Sequence, residues 1–311
     1  MTLGVIDIGT NTVLLLVARL NQSEEIATLA YEQRIPRLGR GVDATKRIHR
    51  DGMERVILVL QEYRSILRTF PVEKIIVAGT SAVRDAANRQ EFSELIQKHT
   101  GFDLEVLSGK EEALWTYRGA ISGVTKSGNA TVIDIGGGST EITQGDTQAI
   151  YHAVSLDIGS VRLTERFFLH DPPVDTEIEA AAAFVTNALS AVRFSAAGST
   201  PVAVAGTATT LAVLDQHAEA FTVASVTNYR LRLDRVSALL EQLRTMSSAE
   251  IEKLSSVMHG RSDVITAGAL ILREVMNHFE FDSVIVSERG VRYGLAIREW
   301  ERKRLKDMKI R

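Results

Sequence analysis

Short apolar runs recur along this chain, and two of them end in a turn made of glycine and hydroxyl residues. Leu3–Ile6 leads into Asp7–Thr12 (DIGTNT), and Thr131–Ile133 leads into Asp134–Glu141 (DIGGGSTE). A short apolar run bounded by turn residues is typical of a buried β-strand. Each segment is therefore predicted to be a strand that ends in a tight turn.

The spacing between these two turns is repeated elsewhere in the chain. Asp7 and Asp134 are 127 residues apart, and so are Gly79 and Gly206, each of which lies in a Val-Ala-Gly-Thr segment. Two landmarks at one offset indicate an internal duplication. We therefore expect two similar domains, residues 1–124 and a longer domain of residues 125–311, with the boundary segment at residues 125–129.

Between these landmarks, helical and strand patterns alternate in both halves. Apolar residues near a 3.6-residue period, such as Met53, Val56 and Leu60, predict the first long helix. The predicted strands are 3–7, 12–19, 26–35, 74–78, 104–107, 131–134, 141–143, 149–156, 201–205, 222–233 and 283–287. The predicted helices are 52–70, 90–99, 108–121, 161–168, 176–196 and 291–305, with others beginning at 234, 249 and about 263. This order predicts an α/β fold class.

Composition narrows the class of protein. The 311 residues are 45% hydrophobic and 24% charged, as in a soluble two-domain protein, and the net charge of −3 argues against a general nucleic-acid binder. The chain has no cysteine, which excludes disulfides, thiolate zinc sites and cysteine-dependent phosphatase chemistry. The apolar run Val13–Ala18 is too short to span a bilayer. We expect a cytoplasmic protein that binds neither nucleic acid nor membrane.

The second turn carries groups that suit a phosphate and a metal ion. Its three glycines let backbone N–H groups approach a ligand, and Ser139 and Thr140 add hydroxyl groups. The flanking carboxylates of Asp134 and Glu141 suit a hard cation such as Mg²⁺, which the phosphate would share. The alternative is that Asp134 only caps the turn and Glu141 is an ordinary strand residue.

Six segments together resemble one family, the exopolyphosphatases and guanosine pentaphosphate phosphohydrolases of the actin-like ATPase superfamily. The segments are residues 7–12 (DIGTNT), 79–85 (GTSAVRD), 108–113 (SGKEEA), 134–141 (DIGGGSTE), 206–210 (GTATT) and 287–290 (SERG). The resemblance implies two duplicated actin-like (ribonuclease H-like) α/β domains with a cleft between them, in the family's short two-domain form.

The resemblance also implies catalytic residues. If Ser108 is an N-cap, Glu111 is the capping-box carboxylate, and Glu112 remains for chemistry. The family places its catalytic glutamate immediately before the alanine that is Ala113 here. The resemblance further implies that Arg84 stabilises charge on the transferred phosphoryl group. The alternatives are that both glutamates lie on the helix surface and that Arg84 pairs with Asp85 or another acid.

The remaining site residues follow from the two turns. The expected phosphate-binding residues are Gly9, Thr10, Asn11, Gly137, Gly138, Ser139 and Thr140, and the expected Mg²⁺ ligands are Asp134, Glu141 and Asp7. For Asp7 two roles stay open, which are to hold metal-bound water or to brace the first turn.

A basic cluster follows the third predicted strand. It comprises Arg34, Arg37, Arg40, Lys46, Arg47 and Arg50. The family often has Arg-Leu-Gly-Glu-Gly at residues 37–41, where this chain has Arg-Leu-Gly-Arg-Gly. The cluster is either a binding track for a long polyanion or a solvated charged loop.

The expected function is a Mg²⁺-dependent phosphohydrolase that removes terminal orthophosphate from inorganic polyphosphate, with guanosine pentaphosphate as the next substrate. The alternatives are a small-molecule kinase of the same superfold and an alarmone or nucleotide sensor without hydrolysis, since this superfold hosts many functions. A homodimer is the general expectation for a soluble oligomer.

Overall fold

The structure, a computed structural model, describes residues 1–21, 25–124 and 128–309. Residues 125–127 of the predicted boundary segment lie outside the described residues. The chain forms two compact units, one of Met1–Gly119 with Val291–Arg311 and one of Ala120–Gly290. Within the described ranges, no helix combines the length and the apolar character required to cross a membrane.

The strands and helices have the following bounds. The strands are β1 (Thr2–Ile8), β2 (Val13–Leu20), β3 (Ile26–Arg34), β4 (Lys74–Gly79), β5 (Leu104–Val106), β6 (Ala130–Ile135), β7 (Thr140–Gly145), β8 (Ile150–Leu156), β9 (Thr200–Val204), β10 (Arg230–Arg232) and β11 (Ser283–Val286). The helices are α1 (Val42–Thr45), α2 (Arg50–Leu67), α3 (Ser81–Asp85), α4 (Arg89–Thr100), α5 (Gly109–Val124), α6 (Ser160–Phe167), α7 (Asp175–Leu189), α8 (Ala205–Asp215), α9 (Val223–Val226), α10 (Leu233–Leu243), α11 (Ser248–Ile251), α12 (Ile265–His278) and α13 (Val291–Lys309), with a 3-10 turn at Ser256–Met258.

Both units are built on a sheet with the same central order. The first sheet has the order β3-β2-β1-β4-β5, and the second has the order β8-β7-β6-β9-β11-β10. In the first sheet, β1 is antiparallel to β2, β2 is antiparallel to β3, and β4 runs parallel to β1. In the second sheet, β6, β7, β8 and β9 have the same arrangement. The predicted duplication and the α/β fold class are confirmed.

The two faces of the first sheet are covered by different helices. On one face, Met53, Leu60 and Tyr63 of α2 pack against a core that includes Ile6 and Leu15. The 3.6-residue apolar period of α2 thus corresponds to its buried stripe.

On the other face, Tyr293 and Leu295 of α13 pack with Leu3 and Leu16. The predicted domains place residues 291–305 with the second half, whereas α13 contributes to the core of the first unit. The compact units therefore differ from the predicted division, because α13 buries its apolar stripe against β1 and β2.

Three elements of the second unit differ from the sequence prediction. Helix α8 was not predicted, because it is buried on nearly all sides and has no amphipathic period. The predicted strand 222–233 is wrong over its first half, where Thr222 caps α9 by accepting a hydrogen bond from the Ser225 N–H. Helix α7 ends at Leu189 instead of 196, and the following segment places Phe194 against His152 and Phe279.

Candidate functional site

The first glycine turn connects β1 to β2 and is held from behind by a loop. The Gly9 N–H donates to the Thr12 carbonyl at 2.9 Å, which closes the turn. The Thr10 carbonyl accepts a hydrogen bond from the Gly39 N–H at 2.8 Å, and the Asn11 carbonyl accepts one from the Arg37 N–H at 3.0 Å. The loop after β3 thus fixes the direction of two peptide groups in this turn.

The second turn, between β6 and β7, has the same closing bond at the same offset. The Gly136 N–H donates to the Ser139 carbonyl at 2.9 Å. The carbonyls of Gly136 and Gly137 accept hydrogen bonds from backbone N–H groups of Ser160, Val161 and Arg162 at the start of α6, at 2.9–3.0 Å. These bonds satisfy N–H groups that a helix start otherwise leaves without partners.

The carbonyl bonds determine where the N–H groups of the second turn point. In a planar trans peptide the N–H lies opposite the C=O. The N–H groups of Gly137 and Gly138 therefore point away from α6, which is the arrangement that an anion-binding turn requires.

The two hydroxyl residues after the glycines are both buried. Ser139 is 1% exposed and Thr140 is fully buried. The Thr140 hydroxyl donates to the Ile158 carbonyl at 2.6 Å, so its single proton is used inside the protein. The Thr140 hydroxyl therefore makes a structural bond, and the role of Thr140 in phosphate binding stays a prediction.

Two of the three predicted metal-binding carboxylates are direct neighbours on one face of the second sheet. Asp134 of β6 is paired with Glu141 of β7 in the antiparallel ladder, which places their Cβ atoms about 4.5–5.5 Å apart. Glu141 is 2% exposed and its Oε1 accepts a hydrogen bond from the Ser155 hydroxyl at 2.6 Å. Asp134 is partly exposed.

This donor set fits a Mg²⁺ ion that phosphate helps to hold. Mg²⁺ is usually bound by one or two carboxylates together with substrate phosphates, not by a cage of protein ligands alone. Among the described residues, no group of three or more acidic or histidine side chains could hold a metal. Asp134 and Glu141 are thus suited to a shared site, and they would need oxygen atoms from a ligand to complete it.

Asp7 lies in a different electrostatic environment from Asp134. Its ladder partner on β2 is Leu14, so the first turn has no paired carboxylate at this position. The nearby Arg292 is 3% exposed and lies over the Tyr31 ring at 4.5 Å. Burial alone would lower the pKa of Arg292, but Tyr31 and Asp7 raise it above its ordinary value. The Asp7 charge thus contributes, after Tyr31, to the raised pKa of Arg292.

The start of α5 separates the two neighbouring glutamates. Glu111 accepts hydrogen bonds from the Ser108 hydroxyl at 2.7 Å and from the Ser108 N–H at 2.9 Å, while its own N–H donates to the Ser108 hydroxyl at 3.2 Å. This is the predicted capping box. The hydroxyl bond and then the backbone bond lower the pKa of Glu111. Glu111 is therefore occupied by a structural task.

Glu112 forms a short ion pair with Arg84. Glu112 is 8% exposed, and its Oε2 lies 2.6 Å from the Arg84 Nη1. The same Nη1 donates to the Leu107 carbonyl at 3.2 Å, and the Arg84 Nε lies 3.9 Å from Asp85. The structure thus brings together the two side chains that were predicted to be catalytic.

This pair lies at the same edge of the first sheet as the first turn. Strands β1 and β4 are parallel neighbours with Ile8 opposite Gly79, and α3, which carries Arg84, begins directly after β4. The Thr80 N–H donates to the Ile8 carbonyl at 3.2 Å. The turn and the ion pair therefore occupy the carboxyl ends of adjacent strands, where α/β sheets bind ligands.

The basic cluster divides into two groups. Arg34, Lys46, Arg47 and Arg50 form ion pairs with nearby acids. Arg37 and Arg40 instead lie on the loop whose backbone holds the first turn, and Arg37 has a left-handed backbone with φ 54°. Within this cluster, Arg37 and Arg40 thus lie on the loop next to a predicted phosphate site.

The comparisons with known proteins agree with this geometry. The model of the Ppx/GppA phosphatase family matches residues 16–303. The chain belongs to the Ppx/GppA phosphatase family. The sequence resemblance to this family is confirmed.

Relatives within the Ppx/GppA family match nearly the whole chain. Exopolyphosphatase 2 of Mycobacterium tuberculosis is 35% identical, covering 94% of this chain and 96% of that protein. The guanosine-5'-triphosphate,3'-diphosphate pyrophosphatase of Vibrio atlanticus is 30% identical, covering 98% of this chain and 61% of that protein. The crystal structure of the Aquifex aeolicus Ppx/GppA family member superposes with a TM-score of 0.82 at 31% identity, covering 97% of this chain and 98% of that one.

Sequence reasoning missed the residues that support the turns. Arg162 donates from its Nε to the Gly138 carbonyl at 2.7 Å, and Gly159 packs directly on Gly137. An arginine in the first turn of an amphipathic helix carries no signal of this role. Gly159 between a strand and a helix was a visible signal of close backbone approach.

Proposed function

We propose that this chain is a phosphohydrolase that removes terminal orthophosphate from inorganic polyphosphate. The observation that carries the proposal is the Arg84–Glu112 ion pair, largely buried at the edge of the first sheet where the first glycine turn also lies. A carboxylate for water, a guanidinium for phosphoryl oxygens and a turn for phosphate are the parts that phosphoryl transfer to water needs.

In the proposed mechanism, Glu112 orients the attacking water and accepts its proton. Arg84 has five N–H donors, so it can keep its bond to Glu112 while other donors bind the oxygens of the terminal phosphate. The ion pair holds both groups in fixed positions before the substrate arrives. Such positioning, together with charge stabilisation, supplies most of the catalysis in phosphoryl transfer.

We further propose that Gly9, Thr10 and Asn11 of the first turn, and Gly137, Gly138 and Ser139 of the second, bind phosphate oxygens. Asp134 and Glu141 would hold a Mg²⁺ ion that neutralises phosphate charge when it is bound. The paired position of the two carboxylates supports this assignment. For Asp7 we keep both roles as proposals, which are to hold metal-bound water or to brace the first turn.

The names of the relatives support both polyphosphate and guanosine pentaphosphate as substrates. One relative is named an exopolyphosphatase and another a pyrophosphatase of guanosine-5'-triphosphate,3'-diphosphate. Both kinds of molecule end in a phosphoanhydride-linked phosphate, so one set of residues can cleave either. We place polyphosphate first because the exopolyphosphatase relative has the higher identity and the more complete coverage.

The absence of cysteine from the sequence supports our proposal of a cytoplasmic location, since a reducing compartment has no need of disulfides. We propose a homodimer only on the general frequency of two-fold oligomers.

A phosphate-release assay tests the proposal. The protein is incubated with Mg²⁺ and, in separate reactions, with long-chain polyphosphate, guanosine pentaphosphate or ATP, and the released orthophosphate is measured. We expect orthophosphate release from the first two, with polyphosphate turned over best. Tight binding without release would instead indicate a sensor. Conversion of ATP to ADP only when a small hydroxyl compound is added, with the phosphoryl group transferred to that compound and no orthophosphate released, would indicate a kinase. Either result would overturn the proposal.

A further inference from the structure

The second glycine turn is held in part by a side chain, that of Arg162. In the first turn, backbone N–H groups hold the Thr10 and Asn11 carbonyls. In the second, the equivalent carbonyl of Gly137 is held by backbone N–H groups, but the Gly138 carbonyl is held by the Arg162 guanidinium. One peptide of the second turn therefore has its direction set by a side chain.

Arg162 is well placed to fix that peptide. It is 5% exposed, and its Nε donates to the Gly138 carbonyl at 2.7 Å. Its Nη2 lies 3.7 Å from the carboxylate of Asp157, whose side chain is 82% exposed. A largely buried guanidinium must be matched by good hydrogen bonds, and the Gly138 carbonyl is one of them.

The glycine turn needs such support because glycine peptides rotate easily. Gly136, Gly137 and Gly138 lack side chains that would restrict the backbone. The peptide that joins Gly138 to Ser139 has its C=O toward Arg162, so its N–H points the opposite way. If the carbonyl bond is lost, this peptide can rotate and the N–H loses its direction.

We infer that Arg162 is a positioning residue that directs the Ser139 N–H toward a bound phosphate through its bond to the Gly138 carbonyl. This inference rests on the proposed function, because it deepens the role of the second turn as a phosphate site. Arg162 acts through the turn and has no contact with the substrate of its own.

The substitutions Arg162→Gln and Arg162→Met separate the hydrogen bond from the charge. In glutamine, the side-chain nitrogen occupies the same place along the side chain as the arginine Nε, so a donor to the Gly138 carbonyl is kept. Methionine has a methyl group there and no donor. Both residues are uncharged and similar in length. Arg162→Lys keeps the charge and moves the donor one atom further out.

We expect Arg162→Met to raise KM for polyphosphate by about 10–100-fold, the range for one hydrogen bond to a charged group. Arg162→Gln should recover most of this loss, and Arg162→Lys should recover less. The affinity for tripolyphosphate, measured by calorimetry in the Glu112→Gln background, should follow the same order. Arg166→Lys is the matched control, since Arg166 lies on the same helix with its guanidinium 5.4 Å from the Phe184 ring centre.

Three outcomes would overturn the inference. The first is that Arg162→Gln and Arg162→Met lose the same affinity at equal thermal stability. The second is that Arg162→Lys restores the wild-type affinity whereas Arg162→Gln does not. The third is that the affinity is unchanged in all variants. If Arg162→Met does not fold, the order of the Gln and Lys variants still decides between hydrogen bond and charge.

Wild-type protein that neither hydrolyses polyphosphate nor binds tripolyphosphate refutes the proposed function itself. Normal wild-type activity with Arg162 variants of unchanged affinity refutes only the positioning role.

Discussion

The two glycine turns share a backbone design and differ in the charges around it. Both are closed by the same N–H to carbonyl bond, and in both the segment after the third strand holds the turn carbonyls. Beside the first turn lies the Arg84–Glu112 pair, and position 14 opposite Asp7 is leucine. At the second turn the matching position is Glu141, opposite Asp134.

This difference shows which part of the duplicated unit can change. The closing bond depends only on backbone atoms, so it tolerates different sequences. The charges depend on single side chains at fixed ladder positions, so one substitution changes the chemistry. The first unit thus carries the carboxylate and guanidinium proposed for catalysis, and the second unit carries the carboxylates proposed to bind Mg²⁺.

The largest expected effect separates the two glutamates of the first unit. We expect Glu112→Gln to lower kcat by about 10²–10⁴-fold, because the amide keeps the size of the side chain but accepts no proton. The control is Glu111→Gln, which affects the capping box and should keep most activity. Steady-state phosphate release checks both. A near-normal kcat in Glu112→Gln would show that Glu112 does not accept the proton of the attacking water.

The carboxylate pair of the second unit should control metal dependence. Asp134→Asn and Glu141→Gln should each raise the Mg²⁺ concentration for half-maximal activity by about 10–100-fold, since each replaces a charged carboxylate by a neutral amide. Asp146→Asn is a control in the turn between β7 and β8, where Asp146 accepts hydrogen bonds from the Tyr151 hydroxyl and from turn N–H groups. Full activity in excess chelator would contradict the metal assignment.

The supports of the two turns can be compared by adding one methyl group to each. A Cβ at Gly159 would lie 2.5 Å from backbone atoms of Gly137 and Gly138, whereas a Cβ at Gly39 would meet the Thr10 methyl group at 2.2 Å. A side chain moves more easily than a backbone. We expect Gly159→Ala to raise KM about tenfold, below the roughly hundredfold cost of a 1 Å misplacement, and Gly39→Ala to have a smaller effect. The reverse order would show that the first turn is the more rigid.

A smaller effect is expected at the loop behind the first turn. Arg37→Glu with Arg40→Glu should lower kcat/KM for long polyphosphate about threefold to fivefold and leave tripolyphosphate unchanged, since only long chains extend past the turns. The effect should shrink as salt rises, because exposed charges are screened over about 8–10 Å. The control is Arg47→Glu with Arg50→Glu, whose arginines pair with Glu91 and Glu54. Equal losses on both substrates would indicate a solvated loop.

The smallest effect concerns the capping box of α5. Ser108→Ala should lower the free energy of unfolding by about 1 kcal/mol near neutral pH. Because the folded state lowers the pKa of Glu111 from its ordinary value of 4.5, the part of the capping contribution that depends on the Glu111 charge is present above that pH. This part is lost as the pH falls through the lowered value. The free energies of unfolding of wild type and Ser108→Ala, measured with denaturant, should therefore differ less at low pH than at neutral pH.

The elements found from the sequence are those with a strong local signal. The period of α2, the capping box at Ser108 and the apolar runs of β1 and β6 each depend on neighbouring residues. Elements without a local signal were missed, such as α8, which is buried on nearly all sides. The end of α7 was misplaced because its alanine-rich pattern continues past Leu189.

The sequence by itself determined the duplication, the two turns and the residue types that carry charge beside them, because these are written in short motifs at one offset. Only the tertiary structure decided which charges meet. Glu112 and Arg84 are 28 residues apart and pair at 2.6 Å, and Arg162 reaches the Gly138 carbonyl across 24 residues. Contacts of this kind depend on how strands and helices pack, and a residue's local sequence carries no record of its distant partner.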